Sequence, residues 1–288
     1  MLKAVKRLVR KYGKEQAQDL ITRLLIIFRM NNKYILFTGK KASKNMVNIN
    51  YCHDFKNLGD NISPILVEYA ANTYGIDINK PIKSTQHLYA VGSIITAGAQ
   101  DCTIWGSGIL NTKILGRMKS RKLDVRAVRG PLTRLILLEH GYEVPEVYGD
   151  PAILMPLIYN PSVDKKYPVS VITHMNEVDY SLNKEIHQIN IKTDDYKTFV
   201  DEIKSSELII SSSLHGIIFA EMYGVKAILL KPKADLFKYY DYYYSTGRLC
   251  FPVATSIEEA LHMEPCSIPH FDSMREKLLK AFPNDLYA

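Results

Sequence analysis

The sequence lacks the short motifs of several common enzyme classes. It has no GxxxxGKS/T phosphate-binding loop, no GxSxG nucleophile motif, no HExxH zinc motif and no DxD motif. Its four cysteines form no CxxC pair, which leaves zinc-ribbon and thioredoxin-like chemistry without support and predicts reduced thiols in a cytosolic protein. Its eight histidines form no HxxxH pair, so we expect no metal and no cofactor.

Long apolar runs are also missing. The run at Leu24–Phe28 is too short for the core of a signal peptide, and no stretch approaches the roughly 18 apolar residues of a membrane span. The chain has 288 residues, of which 47% are hydrophobic and 23% charged. This composition excludes a disordered, fibrous or small disulfide-rich protein and predicts about two folded domains in the cytosol.

Positive charge is concentrated at the N-terminus. Residues 1–45 contain 12 Lys/Arg and 2 Asp/Glu, a net +10, whereas the other 243 residues contain 25 basic and 28 acidic side chains, a net −3. A nucleic-acid-binding surface would be spread over the body, so we expect no nucleic-acid partner. The spacing of apolar residues within residues 1–30 is typical of a basic amphipathic helix on an anionic membrane surface, or of an ordinary helix packed on the body.

Strand and helix patterns alternate from about residue 46 onward, which predicts parallel sheets in an α/β fold. We expect two Rossmann-like lobes that face a cleft, residues 46–159 and 160–269, joined by a polar linker at 160–168. Strands are predicted at 46–52, 88–95, 102–109, 125–128, 169–173, 188–191, 208–210 and 227–230. Helices are predicted at 62–74, 131–140, 196–204, 217–223, 236–244, 257–263 and 271–281.

Ligands of open α/β sheets bind at the carboxyl ends of the strands, so the turns that follow strands are the candidate site. The helix predicted to begin at Pro131 directs its N-terminus at the surroundings of Arg129, and the two together suit a phosphate or carboxylate. A surface ion pair is the alternative for Arg129. His215 follows a serine-rich strand end and could serve as an acid or base, or only as a structural residue. Lys231 and Lys233 follow the next strand and could reach the same cleft.

Six motifs resemble, in order, those of the polysaccharide pyruvyl transferase family. They cover residues 57 to 233 and are Asn57-Leu-Gly-Asp60, Trp105-Gly-Ser-Gly108, Arg126-Ala-Val-Arg-Gly-Pro-Leu-Thr133, Tyr148-Gly-Asp-Pro-Ala152, Ser212-Ser-Leu-His-Gly216 and Lys231-Pro-Lys233. The basic N-terminal residues 1–45 lie outside the resemblance.

The resemblance implies transfer of the enolpyruvyl unit of phosphoenolpyruvate to two sugar hydroxyls, which gives a cyclic pyruvate ketal and phosphate. It also implies the two-lobed fold called GT-B, in which the C-terminal segment, here residues 270–288, packs on the first lobe. Phosphoenolpyruvate would be the donor substrate, and a lipid-linked oligosaccharide or polysaccharide precursor would be the acceptor. Such an enzyme would work in the cytoplasm, at the inner face of the cell membrane if residues 1–30 bind anionic lipid.

The resemblance also implies roles for individual residues. Phosphoenolpyruvate would be bound by Arg129, Ser213 and Lys233, with Lys231 as the alternative to Lys233. His215 would be the general acid or a phosphate contact. Asp60 would be the base for the acceptor hydroxyl, or else the cap of the helix near Asn61. The cleft would be lined by Asn57, Gly59, Gly106, Ser107, Gly108 and Asp150, the last with an equally plausible turn role.

Two other functions compete with this one. A glycosyltransferase that uses a nucleotide sugar would share the GT-B fold, and a non-catalytic glycan- or lipid-surface-binding protein would lack the set of Arg129, His215 and Lys233. The tyrosines of Tyr239–Tyr244 would stack on an acceptor sugar or form one face of a half-buried helix. The acceptor sugar, its hydroxyl pair and the oligomeric state stay open.

Overall fold

The computed structural model describes residues 13, 20, 31–33, 35, 40–52, 56–98, 100–112, 118, 121–177, 186–233 and 235–288. The basic segment predicted to be amphipathic, residues 1–30, lies almost wholly outside these residues. The described chain is a mixed α/β protein with two parallel sheets, as the alternation of strand and helix patterns predicts.

The first sheet has four parallel strands in the order β1-β2-β3-β4. They are β1 (Val47–Asn50), β2 (Gln86–Tyr89), β3 (Cys102–Trp105) and β4 (Leu123–Ala127). The helices of this half are α1 (Leu58–Asn61), α2 (Ser63–Thr73) and α3 (Pro131–Glu139), and a 3-10 helix follows at Pro151–Leu157. Both α2 and α3 end close to a glycine with positive φ, Gly75 and Gly141, which is the usual way for a helix to terminate.

The second sheet has five parallel strands in the order β6-β5-β7-β8-β9. They are β5 (Tyr167–Ile172), β6 (His187–Gln188), β7 (Ser206–Ser211), β8 (Lys226–Leu230) and β9 (Val253–Ala254). The helices of this half are α4 (Tyr196–Lys204), α5 (Leu214–Met222), α6 (Phe237–Ser245), α7 (Ile257–Leu261) and α8 (Asp272–Lys280), and a 3-10 turn follows at Asn284–Tyr287.

The predicted elements match the observed ones closely where an apolar run has clear ends. The helix α4 has the predicted bounds, whereas β2 ends at Tyr89, six residues earlier than predicted. The buried residues after Tyr89 form bends and turns at the end of the strand instead of extending it. The short strand β9 and the 3-10 helix at Pro151–Leu157 were not predicted, because their local patterns resemble loops.

The C-terminal helix α8 packs against the end of β3 in the first sheet. The indole Nε1 of Trp105 donates to the Leu278 carbonyl at 2.8 Å, and its ring meets the edge of Phe282 with 5.1 Å between centroids. Tyr74 on the first half donates to the Leu279 carbonyl at 2.8 Å. The chain therefore returns to the first sheet after completing the second.

The packing of Phe282 on Trp105 predicts a stability effect. Replacement Phe282→Ala removes a buried ring, and we expect the free energy of unfolding to fall by about 3–5 kcal/mol in urea titrations followed by tryptophan fluorescence. The matched control is Leu261→Ala, at a residue that is 45% exposed, which should unfold much closer to the wild type. Equal midpoints for the two variants would contradict this packing role.

Candidate active site

A cavity of about 220 Å³ lies at the carboxyl ends of strands from both sheets. Its walls come from loops after β1, β2 and β3 on one side, and from the loop after β5, the start of α5 and helix α6 on the other. The lining residues are Cys52, Asn57, Asp60, Ser93, Ile94, Ala97, Leu110, His174, Met175, Asn176, Ser213, Leu214, His215 and Lys238. Four of the predicted site residues, Asn57, Asp60, Ser213 and His215, therefore share one pocket.

His215 stands at the first turn of α5 with an unpartnered ring nitrogen. Its Nε2 lies 3.5 Å from Asp150 Oδ2 but is buried and makes no hydrogen bond, since this distance is at the outer limit for such a bond. The ring rests on the backbone of Gly59, where an added Cβ would come within 1.8 Å of His215 Nδ1. Gly59 thus acts by leaving room for the imidazole.

Asp60 lies inside helix α1 and caps no helix. Its Oδ2 accepts a 2.6 Å hydrogen bond from Asn57 Nδ2, and the N-cap positions of α1 and α2 are Asn57 and Ile62. Burial raises the pKa of the Asp60 carboxyl, and His215, the Asn57 amide and Lys238 oppose this rise. Burial therefore makes the Asp60 carboxyl in the pocket a better proton acceptor than an exposed carboxylate.

Asp150 stabilises a turn and also lies beside His215. Its side chain accepts a hydrogen bond from the backbone N–H of Ala152 at 3.0 Å and so caps the 3-10 helix. Its other carboxylate oxygen is the one nearest to His215. Asp150 is buried behind the ring and does not line the pocket.

Arg129 is buried, with only 1% of its side chain exposed, and it has an internal anionic partner. Its Nη2 lies 3.0 Å from Asp241 Oδ2, and its Nε donates to the same oxygen at 3.1 Å. Nη1 donates to the hydroxyl of Ser93 at 2.5 Å, and Ser93 lines the pocket. Arg129 therefore lies behind the pocket wall and not on its surface.

Asp241 occupies the anion-binding position that the sequence predicts at the start of α3. Its carboxylate accepts from the backbone N–H of Thr133 at 2.9 Å and from the Thr133 hydroxyl at 2.7 Å. Gly130 is in close contact with the same residue, because a Cβ there would lie 1.9 Å from the Asp241 carbonyl oxygen. The helix N-terminus and the guanidinium thus bind a carboxylate of this chain, from helix α6.

The glycine-rich turn after β3 supports the wall without lining the pocket. Gly106 has a φ of +90° and lies against Pro151, and Ser107 donates to the Gly92 carbonyl at 2.8 Å. A Cβ at Gly108 would come within 2.3 Å of Arg129 Cζ. These residues let the Arg129 side chain pass close to the backbone of the turn.

The two lysines of the Lys-Pro-Lys turn are exposed and do not line the pocket. The backbone N–H of Lys233 donates to Glu177 Oε1 at 3.0 Å, so this turn is held close to the pocket residue Asn176. A role of Lys231 or Lys233 in donor binding stays a prediction.

Sequence reasoning missed the pocket residues Lys238 and His174. Lys238 is only 7% exposed and its Nζ lies 3.3 Å from His174 Nε2. Burial, followed by the charge of Arg129, lowers the pKa of Lys238 to about 8. Burial, followed by the charge of Lys238, lowers the pKa of His174 to about 4. Neither residue lies in a turn motif, and the Lys238 signal was hidden in a tyrosine-rich helix.

Three tyrosines of that helix, Tyr239, Tyr242 and Tyr243, pack inside the protein, whereas Tyr240 is exposed. Tyr239 donates to the Ser212 carbonyl and Tyr242 to Glu221, each at 2.5 Å, and the rings of Tyr243 and Phe251 stack at 3.9 Å. None of these rings lines the pocket. This segment is therefore better described as a half-buried helix than as a surface on which a sugar stacks.

Within the described residues, no group of three or more His, Cys, Asp or Glu side chains could hold a metal ion. The same part of the chain contains no helix of the length and apolar character needed to cross a membrane.

Comparison with known proteins gives the family. A family model described as polysaccharide pyruvyl transferase matches residues 57–233. The chain belongs to the polysaccharide pyruvyl transferase family. An uncharacterized protein of Acanthamoeba polyphaga mimivirus is 28% identical, over 67% of this chain and 72% of its own length. A solved structure of a functionally uncharacterized protein from Klebsiella pneumoniae covers 82% of this chain and 97% of its own, with 13% identity and a TM-score of 0.48.

The pyruvyl transferase match spans all six motifs and most of the pocket lining. Two pocket residues, Cys52 and Lys238, lie outside residues 57–233, as does Asp241. Membership in this family makes the protein an enzyme of pyruvyl transfer in polysaccharide biosynthesis. Helix α6 lies outside the residues that the family model matches.

The buried ion pair predicts a stability effect in this pyruvyl transferase. Replacement Asp241→Asn leaves the Arg129 guanidinium buried without a countercharge, and we expect a loss of about 3–5 kcal/mol in the free energy of unfolding, measured by urea titration. Asp272→Asn is the matched control, because the Asp272 partner of Arg275 is 93% exposed, and it should leave stability near the wild type. A small effect of Asp241→Asn would show that the pair does not fix α6.

Proposed function

We propose that this enzyme transfers the enolpyruvyl unit of phosphoenolpyruvate to two hydroxyls of a sugar in a cell-surface polysaccharide precursor. The observation that carries the proposal is the placement of the His215 imidazole, the Asp60 carboxyl and the buried Lys238 ammonium in one pocket. An acid or base beside a cation is what the protonation of an anionic enol phosphate requires. The donor is a substrate, and no cofactor is needed.

The reaction balances with these groups. Protonation of the methylene carbon of phosphoenolpyruvate gives a methyl group and an oxocarbenium-like centre, which the first sugar hydroxyl attacks as it loses its proton. The second hydroxyl then displaces phosphate from the same carbon, and its proton leaves with the phosphate or a protein base. The products are the cyclic ketal of pyruvate and inorganic phosphate.

His215 and Asp60 divide the proton transfers in this proposal. His215 lines the pocket, with Asp150 Oδ2 3.5 Å from its Nε2, and serves as general acid or as a phosphate contact. Asp60, whose pKa is raised by burial, accepts the proton of the acceptor hydroxyl. Asn57 donates to Asp60 and holds its orientation, and Ser213 offers a hydroxyl to the donor at the start of α5.

The cations that the sequence predicts to bind the donor have different roles in the proposed reaction. Arg129 is a positioning residue in our proposal, since it acts through Ser93 and Asp241. Lys233, or its rival Lys231, reaches the donor from the turn held by Glu177. The proposed division into lobes at 46–159 with 270–288 and at 160–269, in a GT-B-like arrangement, would put the acceptor in the cleft between them.

The decisive experiment measures phosphate release from phosphoenolpyruvate with a panel of lipid-linked galactose, mannose and glucose glycans, and detects added pyruvate by mass spectrometry. We expect phosphate release that depends on acceptor. Turnover should fall about 10²- to 10⁴-fold in His215→Ala and in Asp60→Asn, the range for loss of a general acid or base. Transfer from a nucleotide sugar instead, or near wild-type turnover in His215→Ala, would overturn the assignment.

The positive charge of residues 1–45 supports the location of the same enzyme at a membrane surface. A net +10 there, against −3 in the remaining residues, suits an acceptor carried by a lipid at the inner leaflet, since each basic residue near an anionic surface contributes about 1 kcal/mol. We expect the full chain to co-sediment with phosphatidylserine vesicles at low salt and the chain lacking residues 1–30 to do so much less. Equal co-sedimentation of the full and the shortened chain would contradict membrane binding by residues 1–30 and leave them a structural role only.

A further inference from the structure

The pocket wall formed by the second half of the chain carries two nitrogen groups that the proposed roles do not use. Lys238 projects from helix α6, and His174 lies just beyond the end of β5. They come from separate elements, and their side-chain nitrogens meet at 3.3 Å. Lys238 lies outside the residues that match the family.

Lys238 is a buried ammonium group that forms no close ion pair with a described residue. Its Nζ has three donors, yet within the described chain no carboxylate lies within 4 Å of it. Besides His174, Nζ lies 5.1 Å from the centre of the Tyr239 ring. A buried charge is normally paired, because removal from water is costly, so the cavity beside Lys238 is suited to an anion.

His174 adds a second donor at the same place. The backbone N–H of Asn176 donates to His174 Nδ1 at 3.3 Å, which assigns the proton of the neutral ring to Nε2. The low pKa of His174, about 4, keeps the ring neutral at pH 7. Two donors, Nε2–H and the ammonium, therefore converge, and an oxygen carrying negative charge can accept from both.

The nearby charged groups that could compete already have partners. Glu177 accepts from the Ser212 hydroxyl at 2.5 Å and from the Lys233 backbone N–H, and Asp60 accepts from Asn57. Arg129 is neutralised by Asp241. The ammonium of Lys238 thus lines the pocket without an ion pair among the residues that the structure describes, and it can meet an anionic ligand.

We propose that Lys238 and His174 form the subsite for an oxyanion of the donor, either its phosphate or its carboxylate. The inference rests on the proposed use of phosphoenolpyruvate and deepens it. The subsite would hold the donor against the second half of the chain and leave its methylene carbon toward His215 and Asp60. Both residues are binding residues in this assignment.

The test is calorimetric titration of the full chain with phosphoenolpyruvate, inorganic phosphate and pyruvate at pH 7. Lys238→Met should raise the Kd for phosphoenolpyruvate about 10- to 100-fold, the usual effect of losing a hydrogen bond to a charged group. His174→Phe should weaken binding as well, and His174→Gln, whose amide N–H replaces Nε2–H, should recover much of it. Lys226→Met is the matched control, because Lys226 is exposed at the opposite end of β8.

The pH profile gives a readout that a structural role would not produce. The groups around Lys238 are Arg129, Asp60, Glu177 and His174. Burial, followed by the charge of Arg129, lowers the pKa of Lys238 to about 8, and the carboxylates of Asp60 and Glu177 oppose this fall. The ammonium is therefore lost as the pH rises through about 8, and phosphoenolpyruvate affinity should fall there. Lys238→Arg should remove this fall, since a guanidinium stays charged.

The outcomes separate the subsite from the proposed reaction. Binding of phosphoenolpyruvate without phosphate release would overturn the reaction and leave the subsite standing if Lys238→Met binds more weakly. Unchanged Kd values in a folded Lys238→Met, or a wild type that binds neither phosphoenolpyruvate nor phosphate, would overturn the subsite. Loss of phosphate binding in Lys238→Met assigns the subsite to phosphate, and loss of pyruvate binding assigns it to carboxylate.

Discussion

The buried contact between Arg129 and Asp241 joins the two halves of the molecule, and the site depends on it. Arg129 follows β4 of the first sheet, and Asp241 projects from α6, which follows β8 of the second sheet. The carboxylate also binds the first turn of α3 through Thr133. Because Lys238 lies one helical turn before Asp241, this contact fixes the orientation in which α6 presents its ammonium to the pocket.

The packing of the pocket wall depends on the same contact between Arg129 and Asp241. Arg129 can reach Asp241 and Ser93 only because Gly108 and Gly130 leave space for close approach of side chain and backbone. Gly59 does the same for the ring of His215 at the start of α5. These glycines stand in motifs that the sequence singled out, and the structure gives them packing roles around the functional side chains.

Much of the fold was predictable from sequence, because parallel α/β folds carry strong local signals. Apolar strands and capped helices such as α4 gave nearly correct bounds, and the rule that ligands bind beyond strand ends located Asn57, Asp60, Ser213 and His215 in one pocket. Strand ends such as Tyr89 were less predictable, since residues after a strand remain buried while they turn. Element ends depend on tertiary packing that a local pattern does not record.

The sequence could not predict which groups pair with the charged residues of the site. Arg129 and the start of α3 form an anion site, as their residue types predict, yet the anion is a side chain 112 residues further along the chain. Lys231 and Lys233 occupy a recognised motif but are exposed, whereas Lys238 sits among tyrosines that hide its role. Which cation is available to a ligand depends on which carboxylates are already engaged. Asp241 is bound to Arg129 and Glu177 to Ser212 and Lys233, and this distribution leaves the charge of Lys238 facing the cavity.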